Sequence, residues 1–241
     1  NWWEGADKIA IYKAIFKPVA SDSTRMAGLL SGEFDLIAPV PLQDIQRAKS
    51  NAGLKILEAN GLMTVYLGMN QYDDKLKSAP NMDKNPLKDK RVRQAFYQAI
   101  DIDAIHKKIM RGFSRPSGTL VGPGVNGYNA ELDKRYPYDI EAAKKLMAEA
   151  GYPDGFTLTM NCSTDRYTKD EMICQAVAQM LAKICVKVNL VAETKSKYFQ
   201  KALSYNVDFY MLGWMPSTYD GQDTYYNLLA TRKGGDQGKY N

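Results

Sequence analysis

The last third of the chain alternates between strand-like and helix-like patterns, and this restricts the possible folds more than any other feature. The stretch GFTLTMNC places four apolar side chains on one face: Phe156, Leu158, Met160 and Cys162. VKVNLVA and VDFYMLG read as further strands, and helix-like stretches near residues 170–184 and 195–203 separate the three. Connections of this length join parallel strands by right-handed crossovers. The sequence therefore predicts an α/β fold with a β-α-β-α-β unit over residues 156–213.

The first part of the chain carries shorter signals. Ser21 or Asp22 can cap a helix that Gly32 ends. Strand-like patterns occupy four short stretches, residues 8–17, 34–40, 54–58 and 62–69. A polar loop from Gln71 to Asp89 carries two prolines, which favours a domain boundary near residue 85. We therefore expect one structural segment over residues 1–84 and another over residues 85–241.

Composition argues against several classes of function. The net charge is +5, but the 32 basic residues are interleaved with 27 acidic ones, so no nucleic-acid-binding stripe stands out. The chain has one histidine, His106, and three cysteines without a CxxC pair, which favours neither a metal site nor a catalytic triad. The G-x-G-x-x-G match at residues 122–127 follows no convincing strand and opens no clear helix. We expect no catalytic residues, no metal and no cofactor.

Open parallel sheets bind ligands beyond the carboxyl ends of their strands. This rule selects three stretches: NCSTDRYT after the first strand, ETKSKY after the second and WMPSTYD after the third. All three are expected at one edge of the sheet. The last stretch begins at Trp214 and supplies ring faces with polar tips, as a small-molecule site does.

Candidate ligand-binding residues lie in the first and last of these stretches. Trp214 and Tyr219 can form the walls of a site, although aromatic rings also serve simply to pack beneath loops. Arg166 can hold a carboxylate through two parallel hydrogen bonds, or can instead form a surface salt bridge with Asp165 or Asp170. Ser217 and Asp220 complete the candidate set.

Cys162 and Cys174 form a separate feature. Cys162 ends the inward face of a predicted strand, and Cys174 lies one turn into the helix that returns over it. Two interpretations stay open at this point, a disulfide and a pair of buried free thiols. Cys185, at the far end of the same helix, is expected to be free.

The chain resembles the extracellular solute-binding proteins of the peptide/nickel/opine type, the receptors of ABC importers for dipeptides and oligopeptides. Three stretches carry the resemblance: NPLKDKRVRQAFYQAIDIDAI, YPYDIEAAKKLMAEAGYPDGFTLT and LGWMPSTYD. It implies a lobe of the type II periplasmic-binding-protein kind with a mixed sheet, plus part of a second lobe. It also implies that the chain is an internal piece lacking a signal peptide, with residues 1–84 from the first lobe and residues 85–241 from most of the second.

The resemblance further implies a non-catalytic, monomeric receptor, periplasmic or tethered outside the cell, that delivers a peptide-like solute to membrane permease subunits. Dipeptide-binding relatives place an Asp three residues after the Trp to hold the ligand's amino group, and this chain has Ser217 there. Asp220 is the nearest candidate replacement, and Arg166 falls where relatives hold the ligand's carboxylate. An oxidising compartment would permit the disulfide. The alternatives are a chaperone-like or adhesion module that uses the aromatic edge, and an enzyme.

Overall fold

The computed structural model describes residues 10–79, 82–233 and 238. The chain divides into two compact units, Asn1–Glu58 and Ala59–Asn241. The first contains helix α1 (Asp22–Ser31), a 3₁₀ turn at Leu42–Asp44 and helix α2 (Ile45–Lys49). Ser21 caps α1, because its hydroxyl accepts a hydrogen bond from the Thr24 amide, and Gly32 ends the helix in the left-handed conformation, as its sequence predicts.

The first unit contains no β-strand among its described residues. The strand predicted for residues 8–17 is wrong over its described part, residues 10–17, and so are those predicted for residues 34–40 and 54–58. A strand needs a hydrogen-bonded neighbour, and residues 10–58 of this structure supply none. The apolar residues of the first stretch are therefore exposed, with Tyr12 at 94% and Phe16 at 92%.

A four-stranded mixed sheet organises the second unit. Its strands are β1 (Thr64–Met69), β2 (Thr157–Ser163), β3 (Lys187–Glu193) and β4 (Phe209–Trp214), in the spatial order β1-β4-β2-β3. Strand β2 runs parallel to both β3 and β4, and helices α6 (Asp170–Ala182) and α7 (Lys195–Leu203) make the two crossovers. The predicted parallel β-α-β-α-β unit is confirmed.

Strand β1 enters this sheet from a distant part of the sequence and runs antiparallel to β4, from the Thr64–Trp214 pair to the Met69–Phe209 pair. The sequence-based division near residue 85 separates β1 from β4. The compact units divide instead between Glu58 and Ala59. The assignment of residues 1–84 and 85–241 to two lobes of the intact protein stays a prediction.

The core lies on one face of the sheet. Helices α3 (Lys90–Ala99) and α5 (Ile140–Glu149) pack there with α6, and the Phe96 ring meets the Phe209 ring edge-on at 5.6 Å. Two short helical pieces, α4 (Ile102–Ala104) and a π-helical turn at Ile105–Ile109, follow α3, and α8 (Gly221–Leu228) follows β4. Of the four alternating residues predicted to share one face, Leu158, Met160 and Cys162 are fully buried and Phe156 is half-buried. This packing fixes the directions in which β2, β3 and β4 deliver their loops.

Candidate functional site

The loops that follow the three parallel strands meet at one edge of the sheet. The Thr164 amide donates to the Glu193 carbonyl at 2.9 Å, and the Lys195 amide donates to the Asp165 carboxylate at 2.6 Å. These two bonds join the loop after β2 to the loop after β3. The expectation that the carboxyl ends share one edge is thus confirmed for these loops.

Asp170 shapes the loop after β2 from the first turn of α6. Its carboxylate is buried, and one oxygen accepts from the Ser163 hydroxyl at 2.8 Å, the Arg166 amide at 3.0 Å and the Tyr167 amide at 3.1 Å. The two acids proposed as salt-bridge partners of Arg166 thus accept backbone hydrogen bonds, Asp170 here and Asp165 from Lys195. The loop backbone is fixed, while the Arg166 side chain is exposed to solvent.

Tyr167 connects this loop to the end of β4. Its hydroxyl accepts a hydrogen bond from the Gly213 amide at 2.8 Å. The guanidinium of the neighbouring Arg166 lies over the tyrosine ring, with its Cζ atom 5.2 Å from the ring centroid. A Cβ atom at Gly213 would come within 2.5 Å of the tyrosine ring, so only glycine permits this close approach. The contact brings Arg166 next to the strand end that leads into Trp214. Nothing in the local sequence predicts this role of Tyr167.

Asp223 organises the loop after β4. The half-buried Trp214 donates its indole N–H to Asp223 Oδ2 at 3.1 Å, and the Ser217 amide donates to the same oxygen at 3.1 Å. The Ser217 hydroxyl donates to Asp223 Oδ1, also at 3.1 Å. Asp223 lies in the first turn of α8, where a negative charge is favoured by the helix dipole. Nothing in the local sequence marks Asp223 for this role.

Asp220 caps α8. One of its oxygens accepts from the Gln222 amide at 2.8 Å and the other from the Asn126 side-chain amide at 2.7 Å. The hydrogen bond from the Gln222 amide, and to a smaller extent the one from Asn126, holds the pKa of the Asp220 carboxyl below its ordinary value. The neighbouring Tyr219 is 73% exposed, so its ring packs under no loop in this structure. The proposed use of Asp220 as an amine anchor stays a prediction, and the structure adds a capping role.

A long loop from Arg115 to Asp133 supports this region through Asn126, whose amide donates to the Tyr219 carbonyl at 2.8 Å. The buried Asp133 carboxylate ties the loop together. It accepts from the Arg115 guanidinium, two backbone amides and the hydroxyls of Ser117 and Tyr128. Burial raises the pKa of Asp133, but the hydrogen bonds, led by that of Arg115, outweigh it and hold the pKa well below its ordinary value. The glycine-rich match at residues 122–127 belongs to this loop.

Cys162 and Cys174 are buried free thiols in this structure, and Cys185 is free and exposed. The hydrogen bond with Cys162, together with burial, raises the pKa of Cys174. The two thiols are thus neighbours, as their positions in the sequence suggest, and the disulfide stays a prediction.

Among the described residues, no group of three or more His, Cys, Asp or Glu side chains is placed to hold a metal ion. No helix in the described ranges is long and apolar enough to cross a membrane.

Comparison with known proteins gives a consistent result. Residues 1–236 match the family described as bacterial extracellular solute-binding proteins, family 5 Middle. The chain is 28% identical over 239 residues to a glutathione-binding protein, GsiB, of Salmonella typhimurium, covering 96% of this chain and 43% of that protein. It is 28% identical over 245 residues to heme-binding protein A of Haemophilus influenzae, covering 98% of this chain and 41% of that protein.

A similar solved structure is the periplasmic binding protein DppA of Helicobacter pylori in complex with the peptide STSA. It superposes with a TM-score of 0.74 at 27% identity, covering 86% of this chain and 38% of that one. The chain therefore spans less than half the length of the relatives that it matches.

Proposed function

The chain belongs to the bacterial extracellular solute-binding proteins of family 5, and on that premise we propose that the intact protein is a non-catalytic receptor for a peptide-like solute. The receptor captures its ligand outside the cytoplasm, in the periplasm or tethered at the cell surface, and delivers it to the permease subunits of an ABC importer. It acts as a monomer. The relatives named for glutathione, for heme and for bound peptides support a small, partly polar ligand.

One observation carries the proposal: at the carboxyl edge of the sheet, the loop after β2 presents an exposed guanidinium and the end of β4 presents a hydrogen-bonded indole. Arg166 stands on a loop whose backbone is fixed by Asp170, and Tyr167 links that loop to the strand that ends at Trp214. An exposed guanidinium on a fixed loop suits a ligand carboxylate, and an indole suits an apolar or cationic group of the ligand. Ligand-binding residues are thus Arg166 and Trp214, with Ser217, Tyr219 and Asp220 around the latter.

A chaperone-like or adhesion role would rest on the exposed aromatic rings alone. The relatives reported above are named for small solutes and peptides, and no described feature favours a large protein partner over these. Non-catalytic action is proposed because the site presents binding groups without a nucleophile and base in contact. Thermal-shift measurements with small ligands, combined with a check that the ligand stays unchanged, separate these functions.

The test is a thermal-shift series on the full-length protein with glutathione, the dipeptide Met-Leu, the tetrapeptide Ser-Thr-Ser-Ala and haemin. A ligand at one hundred times its Kd stabilises the folded state by about 2.7 kcal/mol, which raises the melting temperature by a readily measured amount. Mass spectrometry of the ligand after incubation should show it unchanged. The proposal fails if no member of the series stabilises the protein and none co-purifies with it, or if the peptides are hydrolysed.

A further inference from the structure

The loop of residues 115–133 meets the turn before α8 at one residue, Asn126. Its amide donates to the Tyr219 carbonyl at 2.8 Å, its carbonyl accepts from the Gly221 amide at 2.9 Å, and its side chain donates to Asp220 Oδ2 at 2.7 Å. The two backbone bonds form an isolated parallel bridge between Asn126 and Asp220. One residue therefore holds three successive residues of the neighbouring turn.

The base of this loop is fixed by Asp133, whose side chain is only 2% exposed. Its Oδ1 atom accepts from the Gly118 amide at 2.6 Å and from the Ser117 hydroxyl at 3.0 Å. Its Oδ2 atom accepts from the Tyr128 hydroxyl at 3.1 Å and from the Arg115 guanidinium. Hydrogen bonds to a charged acceptor are strong, and here they join both ends of the loop. The loop is therefore a firm support for Asn126.

The glycine-rich match at residues 122–127 forms the tip of this support. Gly127 follows Asn126 with a φ of 88°, in the left-handed region that favours glycine, so the chain can turn back directly after the bridge. On the other side, a Cβ atom at Gly221 would lie 3.2 Å from the Asn126 carbonyl oxygen and 3.2 Å from the buried Val121 side chain. The glycines thus allow the loop to pack closely against the first turn of α8.

The turn that Asn126 holds carries Tyr219, whose ring is 73% exposed. Because the ring is exposed, packing contributes little to its position, and the position of its backbone matters more. A group that is already held in place loses less conformational entropy when a ligand binds, which improves the affinity. The hydrogen bonds of Asn126 therefore have a consequence for binding as well as for the fold.

We propose that Asn126 is a positioning residue for ligand binding, which orders residues 219–221 in the free protein so that Tyr219 stands in place before the ligand arrives. Asn126 acts through this turn and does not touch the ligand, and the 115–133 loop is its support. This inference rests on the proposed receptor function. It concerns how the site is held together and does not depend on which group the ligand presents there.

Hydrogen–deuterium exchange of the full-length, ligand-free protein, followed by mass spectrometry, tests the ordering of the turn. Asn126→Ala deletes the side-chain bond to Asp220, and peptides covering residues 219–222 should exchange about fivefold faster, because the Gly221 amide opens to solvent more often. Peptides covering residues 213–217 should keep the parent's rate, since the amides of residues 213 and 217 bond elsewhere. The double variant Asn126→Asp/Asp220→Asn exchanges the two side chains, so a donor again faces a carboxylate and the parent's rate should return.

Calorimetric titration of the full-length protein measures the consequence for binding. The probe is Met-Leu, replaced by glutathione, Ser-Thr-Ser-Ala or haemin if one of these is the compound that stabilises the protein. Asn126→Ala should weaken the binding about fivefold, the scale of one hydrogen bond. Asn129→Ala is the matched control, because it makes the same change in the same loop at a side chain that accepts from the Glu131 amide instead. It should weaken the binding by less than about twofold.

Three results would overturn the inference while leaving the receptor function standing. The exchange of residues 219–222 could be the same in Asn126→Ala as in the parent. The exchange could be faster while the affinity stays at the parent's value, or Asn129→Ala could weaken the binding as much as Asn126→Ala does. If none of the four compounds binds to the parent, the receptor function fails, and this inference fails with it whatever the exchange rates are.

Discussion

Tyr167→Phe in the full-length protein tests whether one hydroxyl group joins the two loops of the candidate site. The β2–β4 pairing ends at Asn161 and Tyr210, so the Gly213 amide lies beyond the β2 ladder and donates to the Tyr167 hydroxyl at 2.8 Å instead. Tyr167 is 9% exposed, and its ring sits against Gly213 so closely that water has little room to replace the lost oxygen.

The size of the stability loss follows from the Gly213 amide, which loses its hydrogen-bond acceptor. A buried donor without an acceptor costs about 1–3 kcal/mol. The return contact from the tyrosine hydroxyl to the Gly213 carbonyl is 3.5 Å long and adds little. Because the packing of the ring is unchanged, we expect Tyr167→Phe to lower the free energy of unfolding by about 1–2 kcal/mol.

Urea denaturation followed by far-UV circular dichroism measures this loss as a lower midpoint with an unchanged slope. Tyr12→Phe is the matched control, because it removes a hydroxyl from a ring that is 94% exposed and should change the stability by less than about 0.5 kcal/mol. Affinity for Met-Leu should fall less than stability, since a phenylalanine ring can still stack with Arg166. A Tyr167→Phe protein as stable as the Tyr12→Phe protein would refute the reasoning.

Three further predictions concern the full-length protein. Trp214→Ala should weaken the binding of Met-Leu by about 1–3 kcal/mol in calorimetric titration while the melting temperature of the free protein changes little; an unchanged affinity would remove Trp214 from the site. The pKa of Asp133 is lowered, so its carboxylate stabilises the fold above about pH 4 and the contribution is lost as the pH falls below that value. Urea midpoints between pH 7 and pH 3 should therefore fall more steeply for the parent than for Asp133→Asn, and parallel curves would contradict this. Iodoacetamide should label Cys185 in the native, reduced protein and reach Cys162 and Cys174 only after unfolding, as mass spectrometry of the peptides would show; native labelling at either buried thiol would be the contrary result.

The sequence predicts the parallel unit well because local patterns carry that information. The alternation in GFTLTMNC depends only on which face of β2 is buried, and the structure buries Leu158, Met160 and Cys162 as expected. The shared edge follows from the parallel order of the strands. The helix cap at Ser21 is likewise local, since its side chain bonds the amide of Thr24, three residues away.

The sequence could not supply contacts between distant residues. The alternation that identifies β2 also occurs in residues 10–17, where the structure has no paired strand. A period of two shows which side chains share a face, but it does not show whether a neighbouring strand is present to pair. The role of Tyr167 depends on the close approach of Gly213, 46 residues away. Asp223 resembles any acid in the first turn of a helix until the loop folds back and brings Trp214 to it.

Strand β1 has a consequence for the order of folding. Its only paired neighbour among the described residues is β4, the last of the four strands in sequence. The adjoining Asn70–Asp208 hydrogen bond spans 138 residues of sequence. The chain must lose the entropy of closing this long loop before the strand pairing can stabilise it, and pairings of this kind slow folding. Synthesis also proceeds from the amino terminus, so β1 leaves the ribosome well before its partner exists. The sheet at the site is therefore completed late, and the edge that carries Trp214 takes its final form only when the two ends of this unit have met.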